Sequence, residues 1–318
     1  MLTRLGRWAW KRSDADPWTN VYGVARSLLA VGTLLTLAFN APAWIFHPVA
    51  GLARVPVCYG VARAGLFCQL PFAHLQPARW LAVAILAVVA SGWRPRWTGI
   101  AHWWVAFSLF TSGTLVDGGD QVTGVLTLLL IPVTLGDARA WHWDPPAAGA
   151  PSATGRAMRL VAWSCLLVAR IQVAAIYFHA AIGKFRVEEW TDGTVLYYWL
   201  TDPVHGMPPW FRWALLPVLT SGIGVALLTW SVLVLETVLF MALVMERRWW
   251  RLLLPVGLAF HLGIALLHGL VSFAFAMWAA LVLYLRPHDQ PFSLPRLRIP
   301  EPGPEADGRR VHVLSTQE

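Results

Sequence analysis

The chain has 318 residues, of which 57% are hydrophobic and only 13% are charged, whereas soluble globular proteins have roughly 45–50% apolar and about 25% charged residues. This composition excludes an ordinary soluble enzyme and suits a bundle of membrane-spanning helices, with the lipid bilayer as the first partner. The net charge of +8 comes from short basic groups between apolar runs, so the sequence predicts no nucleic-acid partner.

The apolar runs predict an all-α integral membrane protein with about eight transmembrane helices, because each run approaches the length needed to cross a hydrocarbon layer about 30 Å thick. The predicted spans are 22–39, 80–92, 98–116, 122–135, 160–182, 222–245, 252–267 and 270–285. They divide the chain into a cytoplasmic N-terminus (1–19), a transmembrane domain (20–286) and a flexible cytoplasmic tail (287–318). A second flexible segment is predicted at 145–155, which is rich in Ala, Pro, Gly and Ser.

The first apolar run also resembles a signal peptide, because basic residues precede it and Ala41-Pro42-Ala43 imitates a weak cleavage site. Arg26 inside the run, and the further apolar runs that follow, favour an uncleaved span instead. Arg26 itself is predicted to be an anchor that snorkels to the membrane interface, and His102 is predicted to be interfacial.

The distribution of basic residues predicts the orientation. With the N-terminus in the cytoplasm, 17 of the 25 Lys and Arg residues fall on the inner side, six on the outer side and two within spans. The positive-inside bias therefore predicts a multi-pass protein of the cell membrane with both termini in the cytoplasm.

Two outer segments have compositions of their own. Residues 184–222 mix aromatic side chains with Asp-Gly, Asp-Pro and Pro-Pro, which predicts short helices in the outer interface and a break near Pro217 and Ser221. Cys58 and Cys68 lie in the first outer loop, where thiols are commonly oxidised, so a disulfide is favoured over two free thiols. Cys165 is predicted to be a small apolar core residue.

Ionisable side chains inside the spans are the candidate site residues, because each costs about 2.5–3.5 kcal/mol on insertion and needs a partner or a purpose. On the fifth span, Arg170, Tyr177 and Lys184 fall within about 40° of one another, while Gln172 and His179 share another face. A helix with two polar stripes is predicted to lie inside the bundle and to line a cavity.

Glu236 on the sixth span and His261 on the seventh complete the candidate set. A purely structural ion pair between Arg170 and Glu236 is an equal alternative to a functional role, and spacing alone favours Lys184 as a marker of the membrane boundary. His268 follows His261 by about 10.5 Å along the helix, so the two cannot share one metal ion, and no metal is predicted.

Several motifs together resemble a known family. The stretch 174–185 reads AAIYFHAAIGKF and is followed by Glu189-Trp190 and Asp192-Gly193; later, Phe260-His261 precedes Ser272-Phe273. These residues resemble the horizontally transferred transmembrane (HTTM) domain, best known from vitamin K-dependent gamma-carboxylase, and Glu236 lies where that family tends to place an acidic residue. The stretches 20–29 (NVYGVARSLL) and 194–200 (TVLYYWL), with the loop cysteines, are similar to the sporulation-delaying-protein B group.

The resemblance implies a role in the maturation or export of a secreted antimicrobial peptide, with the peptide precursor and a small accessory protein as partners. In the carboxylase a lysine of the matching signature deprotonates a reduced quinone, which by resemblance makes Lys184 the base and a reduced quinone the cofactor. His261, Glu236, His179 and Arg170 would orient Lys184 or a substrate, and Arg186 or Arg170 would favour a neutral amine. The carboxylase has a lumenal portion after its spans, which this sequence does not show, so glutamate carboxylation is not expected.

Three functions follow from these observations. The first is a membrane-embedded maturation factor, which uses Lys184 as a base if it is an enzyme. The second is an exporter subunit with a polar path through the bundle, disfavoured because the sequence shows no inverted repeat and no nucleotide-binding signature. The third is a non-catalytic scaffold or immunity partner whose buried polar groups serve packing.

Overall fold

The computed structural model describes residues 2–51, 54–71, 74–146 and 150–293. Within these ranges the fold is all-α, as predicted, and β-structure is limited to one bridge between Trp93 and Trp141. The helices are α1 (Leu2–Asp14), α2 (Asn20–Phe39), α3 (Pro42–Ile45), α4 (Leu66–Gln69), α5 (Leu75–Ser91), α6 (Pro95–Ser112), α7 (Gly118–Gly136), α8 (Ala153–Lys184), α9 (Glu188–Thr191), α10 (Val195–Thr201), α11 (Pro209–Leu219), α12 (Gly222–Met241), α13 (Arg247–His268) and α14 (Val271–Leu285).

Each predicted span coincides with one long helix: α2, α5, α6, α7, α8, α12, α13 or α14. Five of them, α2, α7, α8, α12 and α13, are long and apolar enough to cross a membrane, and α5 and α14 are shorter apolar helices. The chain is therefore a multi-pass membrane protein, while the total of eight spans stays a prediction. Helix α8 begins at Ala153, inside the segment 145–155 predicted to be flexible, and residues 147–149 lie outside the described ranges.

Local sequence sets several helix ends. The Asp117 carboxylate accepts hydrogen bonds from the first backbone N–H groups of α7 while Asp120 bonds back to Asp117, which is a capping box. The Ser221 hydroxyl accepts from Gly224 N at the start of α12. The predicted break near Pro217 and Ser221 is confirmed, because α11 ends at Leu219 and α12 starts at Gly222.

The main core lies where α2, α7, α8 and α14 meet, and a second core joins α2 to α5 and α6. Val21, Ala25 and Leu29 on α2 are fully buried, whereas Ile223 and Leu227 on α12 are 77% and 63% exposed. Exposed apolar side chains of this kind suit contact with lipid. Short helices between Lys184 and Gly222 are confirmed as α9, α10 and α11, and their position in the membrane interface stays a prediction.

A side-chain amide joins the start of α2 to the segment that follows α14. Asn20 Nδ2 donates to the Phe292 carbonyl and Phe292 N donates to Asn20 Oδ1, both at 2.8 Å. His288 in the same segment is only 5% exposed. Residues 287–293 are therefore packed against the bundle, which differs from the flexible tail predicted at 287–318; residues 294–318 lie outside the described ranges.

The predicted disulfide between Cys58 and Cys68 is confirmed. Its loop is held to the end of α6 by a 3.0 Å hydrogen bond from Val57 N to the Ser112 carbonyl. Cys165 is a free cysteine that packs against the main core.

Arg26 and His102 are buried, with 1% and 2% exposure, so the predictions of a snorkelling anchor and an interfacial histidine are wrong. The Arg26 guanidinium hydrogen-bonds to the Val89 carbonyl and to His142 Nδ1, both at 3.3 Å, and to the Thr98 hydroxyl. The guanidinium has protein partners inside the bundle, so it has no need to reach the interface.

Acid is expected to destabilise the fold through His142, which lies in the segment between α7 and α8. Burial, with the nearby charges of Arg26 and Arg139, lowers the pKa of His142 from 6.5 to about 3. As the pH falls below 6.5, His142 takes up a proton in the unfolded chain but stays neutral in the folded chain. The contribution of neutral His142 to the free energy of unfolding is therefore complete above pH 6.5. It is lost as the pH falls towards 3, by about 2 kcal/mol between pH 7 and pH 5.

Thermal unfolding in detergent at both pH values, followed by tryptophan fluorescence, measures this effect. His142→Gln is expected to reduce the acid-induced drop, whereas His47→Gln, at an exposed position, leaves it unchanged. An equal drop in wild type and His142→Gln would show that other groups cause the acid sensitivity.

Candidate functional site

A cavity of about 1090 Å³ lies at the end of the bundle where α8 and α13 end. Its walls come from α7, α8, α12, α13 and α14, and α9 and α10 close one side with Trp190 and Trp199. The lining is mainly apolar with a few polar groups, which is the usual character of a small-molecule or cofactor pocket.

An ion pair stands in this cavity. Lys184 Nζ donates to Glu236 Oε1 at 2.8 Å, and the side chains are 20% and 7% exposed. Lys184 is the last residue of α8, where the helix dipole favours a cation, and its Nζ lies 5.2 Å from the centroid of the Trp190 ring. The second carboxylate oxygen, Glu236 Oε2, is buried and has no hydrogen-bond partner among the described residues. The pair thus keeps one acceptor available to a ligand.

A second polar pair lies deeper in the cavity. The Tyr177 hydroxyl and His261 Nε2 are 2.9 Å apart, and both residues are 2% exposed. Tyr177 precedes Lys184 by seven residues, which places it about 10.5 Å further along the helix. The rings of Phe260 and Phe273 lie 4.9 and 5.5 Å from the His261 ring, and the buried His261 Nδ1 has no partner in the described chain.

The two predicted polar stripes of α8 face one cavity. Lys184 and Tyr177 from the first stripe, and His179 and Gln172 from the second, all line it. The prediction that this helix lines a cavity agrees with this arrangement, but the helix does not lie wholly inside the bundle, because Leu167 and Ile171 are 51% and 48% exposed. His179 is the most exposed of the four, with its ring against Phe178.

Arg170 is not brought to this site. Its guanidinium carbon lies 4.2 Å from the centroid of the Trp250 ring, and fourteen residues of helix, about 21 Å, separate it from Lys184. The partner of Glu236 is Lys184, so the alternative of an Arg170–Glu236 ion pair is wrong. The neighbour of Lys184 is thus the Glu236 carboxylate, whereas the sequence predicted a nearby arginine.

Sequence reasoning missed the rim of the cavity. His268 Nδ1 lies 3.1 Å from the His205 carbonyl oxygen, and the Trp199 ring meets His268 edge-on with centroids 6.4 Å apart. Asp202 and His205 also line the cavity. The only signal in the sequence was the concentration of aromatic residues after Lys184, because contacts across more than 60 residues leave no local pattern.

Within the described ranges, no three His, Cys, Asp or Glu side chains stand close enough to hold a metal ion. The groups of the cavity are instead a cation, a carboxylate, a phenol and imidazoles in apolar surroundings. Such a set can bind a polar group and transfer a proton.

The fold and the cavity define the class: a multi-pass helical membrane protein with a polar site inside its bundle. The chain is 38% identical over 300 residues to uncharacterized protein YitO of Bacillus subtilis (strain 168), covering 94% of this chain and 95% of the relative. It is 36% identical over 279 residues to sporulation-delaying protein SdpB of the same organism, covering 88% and 85%. The chain belongs to the family of sporulation-delaying protein SdpB.

No family model and no solved structure matches the chain. The two relatives confirm the resemblance to the sporulation-delaying-protein B group. The wider relationship to the HTTM domain and the gamma-carboxylase stays a prediction.

Proposed function

We propose that this protein takes part in the maturation of a secreted antimicrobial peptide, and that the membrane cavity binds part of the peptide precursor. Two facts support the proposal: membership of the family of sporulation-delaying protein SdpB, and a cavity with convergent polar groups. The observation that carries it is the Lys184–Glu236 pair with the unpartnered oxygen Glu236 Oε2.

The pair supports base chemistry in one defined way. A proton moves along the 2.8 Å hydrogen bond from Lys184 Nζ to Glu236, leaving a neutral amine and a neutral carboxylic acid. A weakly solvated site reduces the free-energy difference between the ionic pair and the neutral pair, because the loss of water destabilises both charges. The neutral Lys184 amine then accepts a proton from a group held in the cavity, and Glu236 returns its proton when that group is reprotonated.

The cavity also fits the cofactor that the HTTM resemblance implies. A reduced quinone would supply an acidic hydroxyl group when bound. Glu236 Oε2 and His261 Nδ1 are the buried atoms without partners that would hold polar groups, and Phe260 and Phe273 offer apolar walls. The proposal includes the small accessory protein that the resemblance implies as a partner in maturation.

The disulfide supports a proposed orientation. The Cys58–Cys68 loop is bonded to the end of α6, next to the start of α7, and Gly118 at that start lines the cavity. Disulfides persist in oxidising compartments. We therefore place the cavity at the outer face of the cell membrane, with both termini in the cytoplasm.

Lys184→Ala is expected to lower the amount of mature peptide by about 100-fold or more, the usual contribution of a general base. Mass spectrometry of the secreted product measures this, with the membrane level of each variant checked by immunoblot. Arg186→Ala is the matched control, because this exposed cation lies two residues away and does not line the cavity.

Normal product from Lys184→Ala at a normal protein level would reject the catalytic proposal and favour the scaffold or immunity partner. Loss of secretion with fully matured peptide retained inside the cell would favour the exporter. Only loss of maturation itself supports the proposed chemistry.

A further inference from the structure

Arg170 is a half-buried charge on a helix that is long and apolar enough to cross a membrane. It lies in α8, its Nε is buried without a partner, and its guanidinium makes no hydrogen bond to any described residue. Its contact is with the face of Trp250, at 4.2 Å. Stacking on an aromatic ring offsets only part of the cost of removing a guanidinium from water. The unpartnered Arg170 guanidinium therefore favours the binding of an anion.

Two further arginines stand beside it. Arg247, the first residue of α13, has its guanidinium carbon 6.0 Å from the same Trp250 ring, and that of Arg12 on α1 lies 3.7 Å over Trp163. The His288 ring packs edge-on to Trp163 with centroids 5.7 Å apart, and neither of its buried nitrogens has a partner in the described chain. We call Arg12, Arg170 and Arg247 the arginine cluster.

The acidic residues nearby do not neutralise this cluster. Asp289 pairs with Arg247 at 3.0 Å, where both side chains are more than half exposed. That bond uses Arg247 Nη1 alone and leaves the rest of its fork available. The other carboxylates around it have different partners: Asp16 pairs with Arg159, Asp14 with Arg156 and Glu246 with Arg248. Among the described residues, three cations share one exposed carboxylate.

The level of the cluster along the bundle indicates the source of the anion. Arg170 lies about 21 Å from Lys184 along α8, and Lys184 marks the cavity end. In a hydrocarbon layer about 30 Å thick the Arg170 backbone is then roughly 9 Å inside the opposite edge, a distance that a long arginine side chain can largely span. The cluster also stands at the N-terminus of the 22-residue helix α13, which has no side-chain cap, so the helix dipole adds attraction for an anion. Lipid phosphates lie just beyond this edge of the layer.

We propose that the arginine cluster binds the phosphate head group of an anionic phospholipid from the leaflet at this end of the bundle. Guanidinium groups bind phosphate oxygens through paired N–H donors, and those of Arg170 and Arg12 are held against tryptophan rings. The unpartnered nitrogens of His288 provide one more donor or acceptor at the same place. This site is separate from the cavity and does not depend on the proposed function.

The test uses the full-length protein in nanodiscs of phosphatidylglycerol mixed with phosphatidylcholine, followed by native mass spectrometry of the lipids retained on release. We expect wild type to retain phosphatidylglycerol in preference, and Arg170→Gln to lose the preference by about tenfold. Arg170→Lys is expected to be intermediate, because it keeps the charge and loses the fork. Arg248→Gln is the matched control, since this arginine is 72% exposed and pairs with Glu246.

Arg12→Gln serves as a second variant, because α1 lies outside the predicted spans and its change is less disruptive to folding than one in α8. Equal retention of the two lipids by wild type, or retention unchanged in both variants, would overturn the proposal. Stabilisation by inorganic phosphate without any preference for phosphatidylglycerol would also overturn it, and would identify a soluble phosphate as the ligand.

Discussion

Glu236→Leu is expected to lower the free energy of unfolding by about 2–4 kcal/mol. Breaking a buried ion pair by removing one partner usually costs about 3–5 kcal/mol, because the other charge is left buried and unpaired. The lower range allows for Lys184, whose side chain is 20% exposed and is therefore partly solvated. Chemical unfolding in detergent, followed by tryptophan fluorescence, measures the change.

The double variant Lys184→Met/Glu236→Leu is expected to recover most of this loss, since two apolar side chains of similar volume replace both charges. The double-mutant cycle separates the energy of the pair from the effects of each substitution. A double variant as unstable as Glu236→Leu alone would show that an unpaired charge on Lys184 does not cause the loss of stability. If the stable double variant makes no mature peptide, loss of chemistry rather than loss of folding explains the defect.

Gly193→Ala is expected to cost about 2–4 kcal/mol and to loosen the closed side of the cavity. Gly193 has a φ of 86°, where a side chain is strained. A Cβ built there lies 2.9 Å from both the Cα and the Cβ of Ala226 on α12, and a backbone atom cannot move aside. Because Gly193 joins α9 to α10, we expect Trp190 and Trp199 to become more accessible to a soluble quencher. Thermal unfolding and tryptophan quenching measure the two effects.

Gly222→Ala provides the comparison at the start of α12, the helix that Gly193 contacts. A Cβ at Gly222 has no neighbour within 4 Å, and alanine is the better helix former, so this variant is expected to be neutral or slightly stabilising. Equal behaviour of the two alanine variants would mean that contact between the outer segment and α12 contributes little to stability.

Hydropathy was sufficient to locate the long helices. Each of the predicted runs falls on one helix, and Pro217 with Ser221 marked the start of α12 correctly, because chain breaks and caps depend on adjacent residues. The ends were less accurate: α8 continues to Ala153, where polar residues lower the hydropathy without interrupting the helix.

Pairing of polar side chains was beyond the sequence. The helical period correctly brought Tyr177 and Lys184 to one wall, but it could not choose between Lys184 and Arg170 as the partner of Glu236, since that choice depends on how α12 is aligned with α8. Arg26 was misread for a similar reason. Its neighbours, Val89, Thr98 and His142, come from three distant segments that create a polar site inside an apolar span.

The joint between Asn20 and Phe292 has a consequence for biogenesis. The two residues are 272 positions apart, and α2 packs most extensively against α14, the last helix of the described residues. During synthesis the first helix enters the bilayer long before its principal neighbour leaves the ribosome, so lipid must cover that face of α2 in the meantime. Lateral assembly of inserted helices then closes the bundle. A nascent chain arrested before Val271 would lack α14. The face of α2 that α14 normally covers would then be exposed to membrane quality control.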